Sequence, residues 1–396
     1  MRRTKRICVI TGTRAEYGLM RTLLRAIEYH ANLDLQIIAT GIHLLPRFGN
    51  TIRHIRDDGF TITAKVCLQD GSDDAVQEAI GVGRAVTKLA EKMQDLDPDV
   101  VVVLGDRVEA MAGALAAVVS RRILAHIHGG DVATGDIDDV LRHAITKLAH
   151  LHFPATKASA RRILRLGEAH DRIHVVGSLA LDELRALPDP SPDWLARRLD
   201  LPRTRGNNDP VPYALVVQHP IGDTPRREQQ RMEHTLRAVA GAGLWSVVIY
   251  PNSDPGHSGI LSAISARSAA RSGQTAIRGG LTVFRSLPRE DYLRLLIGAR
   301  VLVGNSSSGI IESATAGTPA VNIGPRQAGR QRCGSAVVDC DYARAAITRA
   351  LRQAMAKRPR RGRRSVYGDG TAGDRIAALL ATAPLDSMSH RKRIRY

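Results

Sequence analysis

Aromatic side chains are scarce in this sequence, with 4 Phe, 2 Trp and 8 Tyr among 396 residues. So few rings leave little for the stacking platforms on which single-stranded nucleic acids lie. Cysteine is scarcer still. Cys8, Cys67, Cys333 and Cys340 are widely separated and form no Cys-x-x-Cys pair. This argues against a disulfide scaffold or a zinc site, and for a reducing compartment and a cytoplasmic protein. Long apolar runs are missing as well. The basic start Met1-Arg2-Arg3-Thr4-Lys5-Arg6 leads into Ile7–Ile10, which breaks at once on Thr11-Gly12-Thr13-Arg14. That run is too short for a signal peptide or a membrane span, so no membrane partner is expected. Acidic residues are outnumbered, 39 against 57 basic, for a formal net charge of +18. The basic residues are spread along the chain with one dense run, Lys357–Arg364, so no specific nucleic-acid partner is expected. An anionic small molecule suits the sign of the charge. Also absent are a Gly-x-Gly-x-x-Gly fingerprint after the first apolar run, where Gly12-Thr13-Arg14-Ala15-Glu16-Tyr17-Gly18 stands, and a Walker Lys-Ser/Thr pair. A bound NAD and ATP hydrolysis are therefore not expected, and neither is any other cofactor.

What the chain does have is a repeated alternation. Hydrophobic residues are 43% of a length that makes two or three domains. Short apolar runs predict strands at Arg6–Ile10, Leu35–Ala39, Val100–Leu104, Ile123–Ile127, His174–Val176, Ala214–Val217, Val247–Tyr250, Val301–Val303 and Ala320–Ile323. Val100–Leu104 is apolar at every position, as a strand covered on both faces must be. Helical patterns fall between them, at Glu109–Val119, Asp138–Lys147, Arg227–Ala240 and Ser308–Ala316. Strand, polar turn, helix is the unit of an open parallel sheet, so the fold class is α/β. Six prolines between Leu187 and Pro212 mark a linker. The expected division is an N-terminal Rossmann-like domain over 1–187, a linker over 188–212 and a C-terminal Rossmann-like domain over 213–366. A closing helix then returns to the first domain within 367–396, ahead of a loose tail.

In open α/β sheets ligands sit beyond the carboxyl ends of the strands. Two domains facing each other with such edges make a cleft. The turn Gly304-Asn305-Ser306-Ser307-Ser308-Gly309 offers backbone N–H groups and hydroxyls on which a diphosphate docks, and Glu312 stands one turn further for a ribose diol. Asp106, in Gly105-Asp106-Arg107-Val108-Glu109, sits at a helix N-terminus, which favours its charged form. Arg107 beside it suits an anionic group. His126-Ile127-His128-Gly129-Gly130-Asp131 ends another strand, with both histidines expected on one face. No third ligand stands at a familiar metal spacing, so His128 reads as a proton carrier. Asp138 precedes Arg142 by four residues, an i,i+4 pair, and Gly135 frees the loop before it to carry a carboxylate in as a lid. In the second half, His219, Asn252 and Asp254 follow strands, and Arg326 and Arg330 flank a glycine-containing loop suited to phosphate. Carboxylates beside a histidine, with a diphosphate cradle, allow removal of a proton from carbon and elimination from a nucleotide sugar.

These segments resemble the UDP-N-acetylglucosamine 2-epimerase family, and most of all its hydrolysing branch in sialic and legionaminic acid pathways. The resemblance runs from about residue 7 to 370 and is carried by Gly12-Thr13-Arg14-Ala15-Glu16-Tyr17, Gly105-Asp106-Arg107-Val108-Glu109, Asp138-Asp139 with Arg142-His143-Ala144-Ile145-Thr146-Lys147, Val176-Gly177-Ser178, Pro251-Asn252-Ser253-Asp254-Pro255-Gly256, Gly304–Gly309, and Arg326-Gln327 with Gly329-Arg330. It implies two Rossmann-like domains in the GT-B arrangement with an interdomain active-site cleft, a homodimer or dimer of dimers, and no metal or NAD. It implies anti elimination of UDP through 2-acetamidoglucal. Hydrolysing members release N-acetylmannosamine and UDP, and non-hydrolysing members return UDP-N-acetylmannosamine. By position, Asp106 and Asp138 match catalytic carboxylates. Ser306 and Ser307 match diphosphate binding, Glu312 a ribose contact and His219 a phosphate contact. Arg14 and Glu16 join the substrate set. His128 departs from the glutamate common in the family and completes the catalytic set here. Two neighbouring readings keep the fold: a UDP-2,4-diacetamido-trideoxyglucose substrate, or a place in antibiotic biosynthesis. Two rivals change the class: a GT-B glycosyltransferase, which needs an acceptor, and a non-catalytic binder of nucleotide sugars or RNA.

Overall fold

The structure is a computed structural model that describes residues 4–68, 74–132, 137–204, 209–252, 254–269, 280–334, 336–357, 359–362, 365–385, 388 and 392. Gly135, Ser253, parts of the basic run Lys357–Arg364 and most of the tail beyond residue 385 lie outside the described residues. The chain divides into two compact units. Met1–Ala133, Ile137–Asp182 and Val366–Tyr396 make the first, and Glu183–Ser365 the second.

The first unit holds strands β1 (Lys5–Thr11), β2 (Leu33–Thr40), β3 (Ala64–Val66), β4 (Val100–Leu104), β5 (Ile123–Ile127) and β6 (Leu151–Phe153). They lie in the order β3-β2-β1-β4-β5-β6, every pair parallel. Alternate residues of β1 and β4 enter opposite cores. Ile7, Val9, Val100 and Val102 pack on one face, and Cys8, Ile10, Val101 and Val103 on the other. This is period-two geometry with both faces covered. The helix Ala372–Thr382 belongs to the first core through Ile376 and Leu380. Its N-terminus is held by Asp182, whose carboxylate accepts the Ala372 and Gly373 N–H groups at 3.0 and 2.8 Å.

The second unit repeats the plan with β7 (Tyr213–Val217), β8 (Trp245–Ile249), β9 (Leu281–Phe284), β10 (Val301–Gly304), β11 (Ala320–Ile323) and β12 (Val337–Cys340). Their order is β12-β11-β10-β7-β8-β9, again all parallel. Ala214, Val216, Val248, Val301, Val303 and Val321 share one buried cluster. Among the described residues no helix is long and apolar enough to cross a membrane.

Three expectations need correction. His174–Val176 is not a strand. It runs extended beside the short edge strand β6, and only Ile173 forms a bridge, to His152. The stretch 188–212 is not bare linker, because Pro192–Leu199 is a helix. Ser191 caps it, Pro192 occupies its first turn, and Leu195 and Leu199 are buried. A proline there starts a helix rather than breaking one. The expected helix Ser308–Ala316 is interrupted at Glu312, leaving Ser308–Ile311 and Ser313–Ala316.

Candidate active site

Each sheet reverses its strand order once, between β1 and β4 in the first unit and between β7 and β10 in the second. At such a reversal the loops after neighbouring strands part, and a ligand fits beyond their carboxyl ends. The residues of interest gather around these points.

In the first unit, β1 ends in a turn closed by a capping box. The Thr13 hydroxyl accepts the Glu16 N–H, while Glu16 Oε2 accepts the N–H groups of Gly12 and Thr13 at 3.0 and 2.9 Å. Glu16 is buried. Burial, with Glu109 close by, raises its pKa to about 7 against the pull of Arg107. Glu16, expected to meet substrate, gives Oε2 to the turn. Arg14 opens the following helix, Arg14–Glu28, half-buried. A Cβ on Gly12 would lie 2.4 Å from Glu109 Cγ, so glycine lets this turn rest directly on Glu109. Arg107 Nε donates to Glu109 Oε2 at 3.1 Å, a local pair that fixes the carboxylate on which Gly12 rests.

Asp106 and His128 are joined through one buried arginine. Arg142 donates one Nη to the Asp106 carboxylate and the other to the His128 carbonyl at 3.2 Å. The i,i+4 spacing from Asp138 reads as a surface pair, yet Arg142 is among the largest buried side chains. Its helix, Asp138–Leu148, places Asp138 at the first turn and Thr146 deeper. The Thr146 hydroxyl donates to the Arg142 carbonyl and lies 3.2 Å from His126 Nδ1. His126 Nε2 donates to the Gly105 carbonyl at 2.7 Å. Burial pushes the His126 pKa down to about 3, so a neutral ring braces the scaffold. The two histidines therefore do not share a face: β5 ends at Ile127, and His128 takes φ 62°, turning the chain away.

In the second unit Asn305 stitches the reversal together. Its amide accepts the His219 N–H at 2.7 Å and donates to the His219 carbonyl at 2.8 Å. Gly304 (φ 136°) makes this approach feasible, since a Cβ there would stand 2.0 Å from the Val217 carbonyl oxygen. His219 Nδ1 accepts the Asn252 N–H at 3.2 Å, which leaves its proton on Nε2, a donor suited to phosphate. Ser306 and Ser307 stay half-exposed at the following turn, and Ser306 Oγ accepts the Ser308 N–H. Gln327 Nε2 donates to the Asn305 carbonyl at 2.9 Å and so ties the loop carrying Arg326 and Arg330 to the serine turn. Asp254 lends its carbonyl to His257 at 3.1 Å. Glu312 is buried against Arg289.

With this geometry in view, three comparisons bear on the chain. The family profile described as UDP-N-acetylglucosamine 2-epimerase matches residues 25–381. The chain belongs to the UDP-N-acetylglucosamine 2-epimerase family. It is 33% identical over 383 residues to a UDP-N,N'-diacetylbacillosamine 2-epimerase (hydrolyzing) of Legionella pneumophila, covering 97% of each chain. It is 32% identical over 352 residues to a UDP-N-acetylglucosamine 2-epimerase of Neisseria meningitidis, covering 88% of this chain and 87% of that one. The S. aureus MnaA–UDP structure shares the fold, with a TM-score of 0.74 at 19% identity over 99% of this chain and all of that one. The protein is thus an enzyme of epimerase chemistry on sugars like UDP-N-acetylglucosamine, built on two Rossmann-like units.

Several residues of this epimerase escape sequence reasoning. Asn305 lies inside the serine motif, where its amide reads as one more turn residue. Arg142 reads as a helix-surface cation. Arg289 has no local signal at all, because its partner Glu312 is 23 residues away.

Proposed function

We propose that this epimerase is hydrolysing and acts on a UDP-linked 2-acetamido sugar, with UDP-N-acetylglucosamine as the leading substrate. A base in the first unit takes the C2 proton. The electron pair forms the C1–C2 double bond, and the C1–O bond breaks to release UDP. Water then adds at C1 of the 2-acetamidoglucal, C2 regains a proton on the opposite face, and N-acetylmannosamine leaves. Asp106, His128 and Asp138 carry the proton transfers, and Arg142 orients the first two. Arg14 and Arg107 take anionic groups of the substrate beside them. His219, Asn252, Asp254, Ser306, Ser307, Arg326 and Arg330 make the nucleotide end, with Glu312 at the ribose. The observation that carries this reading is the buried Arg142, which holds the Asp106 carboxylate and the His128 backbone in one arrangement at the sheet edge. A second reading, a diacetylated bacillosamine-type substrate, draws support from the Legionella pneumophila relative aligned over 97% of both chains.

Proton NMR in deuterated water tests the proposal. Free N-acetylmannosamine deuterated at C2, together with UDP, is the expected product. A stable mixture of two UDP-sugars would instead make the enzyme non-hydrolysing. Product retaining the original C2 hydrogen would sink the elimination altogether.

A further inference from the structure

A second charged cluster lies at the far end of the helix that carries Asp138 and Arg142. Its centre is Glu168, buried. Lys147 Nζ reaches Glu168 Oε1 at 2.6 Å, Lys392 Nζ reaches Oε2 at 2.6 Å, and His152 Nε2 lies 3.1 Å from Oε2. Lys147 belongs to the helix itself. Lys392 arrives from the C-terminal tail, and besides Glu168 it donates to the carbonyls of Lys147 and Thr146 at 2.5 and 3.3 Å. Those carbonyls sit in the last turn of Asp138–Leu148, where no N–H of the helix remains to meet them. The carbonyl end of a helix carries partial negative charge, and a buried carboxylate against it repels unless cations intervene. Lys147 answers one oxygen of Glu168, and Lys392 supplies the donor for the end carbonyls together with a second cation for the other oxygen.

We infer that Lys392 is a positioning residue: it latches the C-terminal end of the Asp138–Leu148 helix and so fixes where Arg142 holds Asp106. Thr146, whose carbonyl Lys392 grips, bonds through its hydroxyl to the Arg142 carbonyl one turn earlier. A shift of the end turn therefore travels to the guanidinium, and a displacement near 1 Å at a reacting group costs roughly a hundredfold in rate. The inference rests on the proposed roles of Asp106 and Arg142.

The test compares Lys392→Met, Lys392→Arg and Asp106→Asn in the full-length enzyme. UDP release and backbone amide exchange are both measured. Lys392→Met is expected to lower kcat about tenfold, with KM for the UDP-sugar within about twofold. It should also speed amide exchange over residues 145–149. Lys392→Arg, which keeps the charge, is expected to recover most of both losses. Wild-type kcat and exchange in Lys392→Met, with Asp106→Asn inactive, would overturn the latch and leave the site assignment standing. An active Asp106→Asn would sink the site assignment itself, and faster exchange in Lys392→Met would then still support the clamp on the helix end. An arginine variant as impaired as the methionine one would also overturn the latch.

Discussion

Arg142 ties together the turns after β4 and β5 in the first unit's site. It is buried, and it gives one nitrogen to the Asp106 carboxylate and one to the His128 carbonyl. A lysine offers a point charge rather than a planar fork, so it can serve only one of these acceptors well. Arg142→Lys is therefore expected to lower kcat by about a hundredfold while the fold survives, read by steady-state kinetics beside circular dichroism. Asp106→Asn removes a proposed base. It should cost about a hundred- to ten-thousand-fold in kcat and abolish deuterium uptake at C2. Glu16 makes a different prediction. Its folded pKa is raised to about 7 from 4.5, chiefly by burial, so the folded state holds that proton more tightly than the unfolded chain does. Stability from this group is present at low pH and is lost as pH rises from about 4.5 through 7. Glu16→Gln should flatten the fall in melting temperature between pH 5 and 8, as scanning calorimetry would show. An unchanged slope would mean that Glu16 is ionised throughout.

At the scale of elements, what can be read locally depends on how self-contained each element is. Val100–Leu104 and Ile123–Ile127 are found at their expected bounds, because a short run that is wholly apolar, or apolar but for His126, between turns has few alternatives. The strands β3, β6, β9 and β12 are not legible in the sequence. They have 3 or 4 residues each, and at a sheet edge only one neighbour is needed to recruit them. The closing helix Ala372–Thr382 is legible as a helix, but its place depends on Asp182, which caps it from 190 residues away. Leu380 is fully buried in the first unit's core. Leu380→Ala should cost about 2–5 kcal/mol in urea unfolding. A cost below about 1 kcal/mol would mean that the helix contributes little to that core.

Across the whole molecule, the surplus of basic residues makes an ionic-strength prediction. With a formal net charge of +18, an anionic nucleotide sugar is drawn in by a field that salt screens over about 10 Å at 0.1 M. Raising salt from about 20 to 300 mM should lower kcat/KM several-fold, mostly through KM. A flat response would mean that the charge is arranged without regard to the site. The sequence by itself determined the α/β class, the two sheets, and which turns follow the strands that bear chemistry, because period-two burial and strand-end turns are local properties of a chain. The tertiary structure alone decided which of those turn residues remain for a ligand. His126 is claimed by the Gly105 carbonyl, while Asp106 is held at its turn by the buried Arg142. Those pairings join residues far apart in the chain, and a buried polar group takes whichever partner folding brings to it, since leaving it unpaired costs more than any local preference.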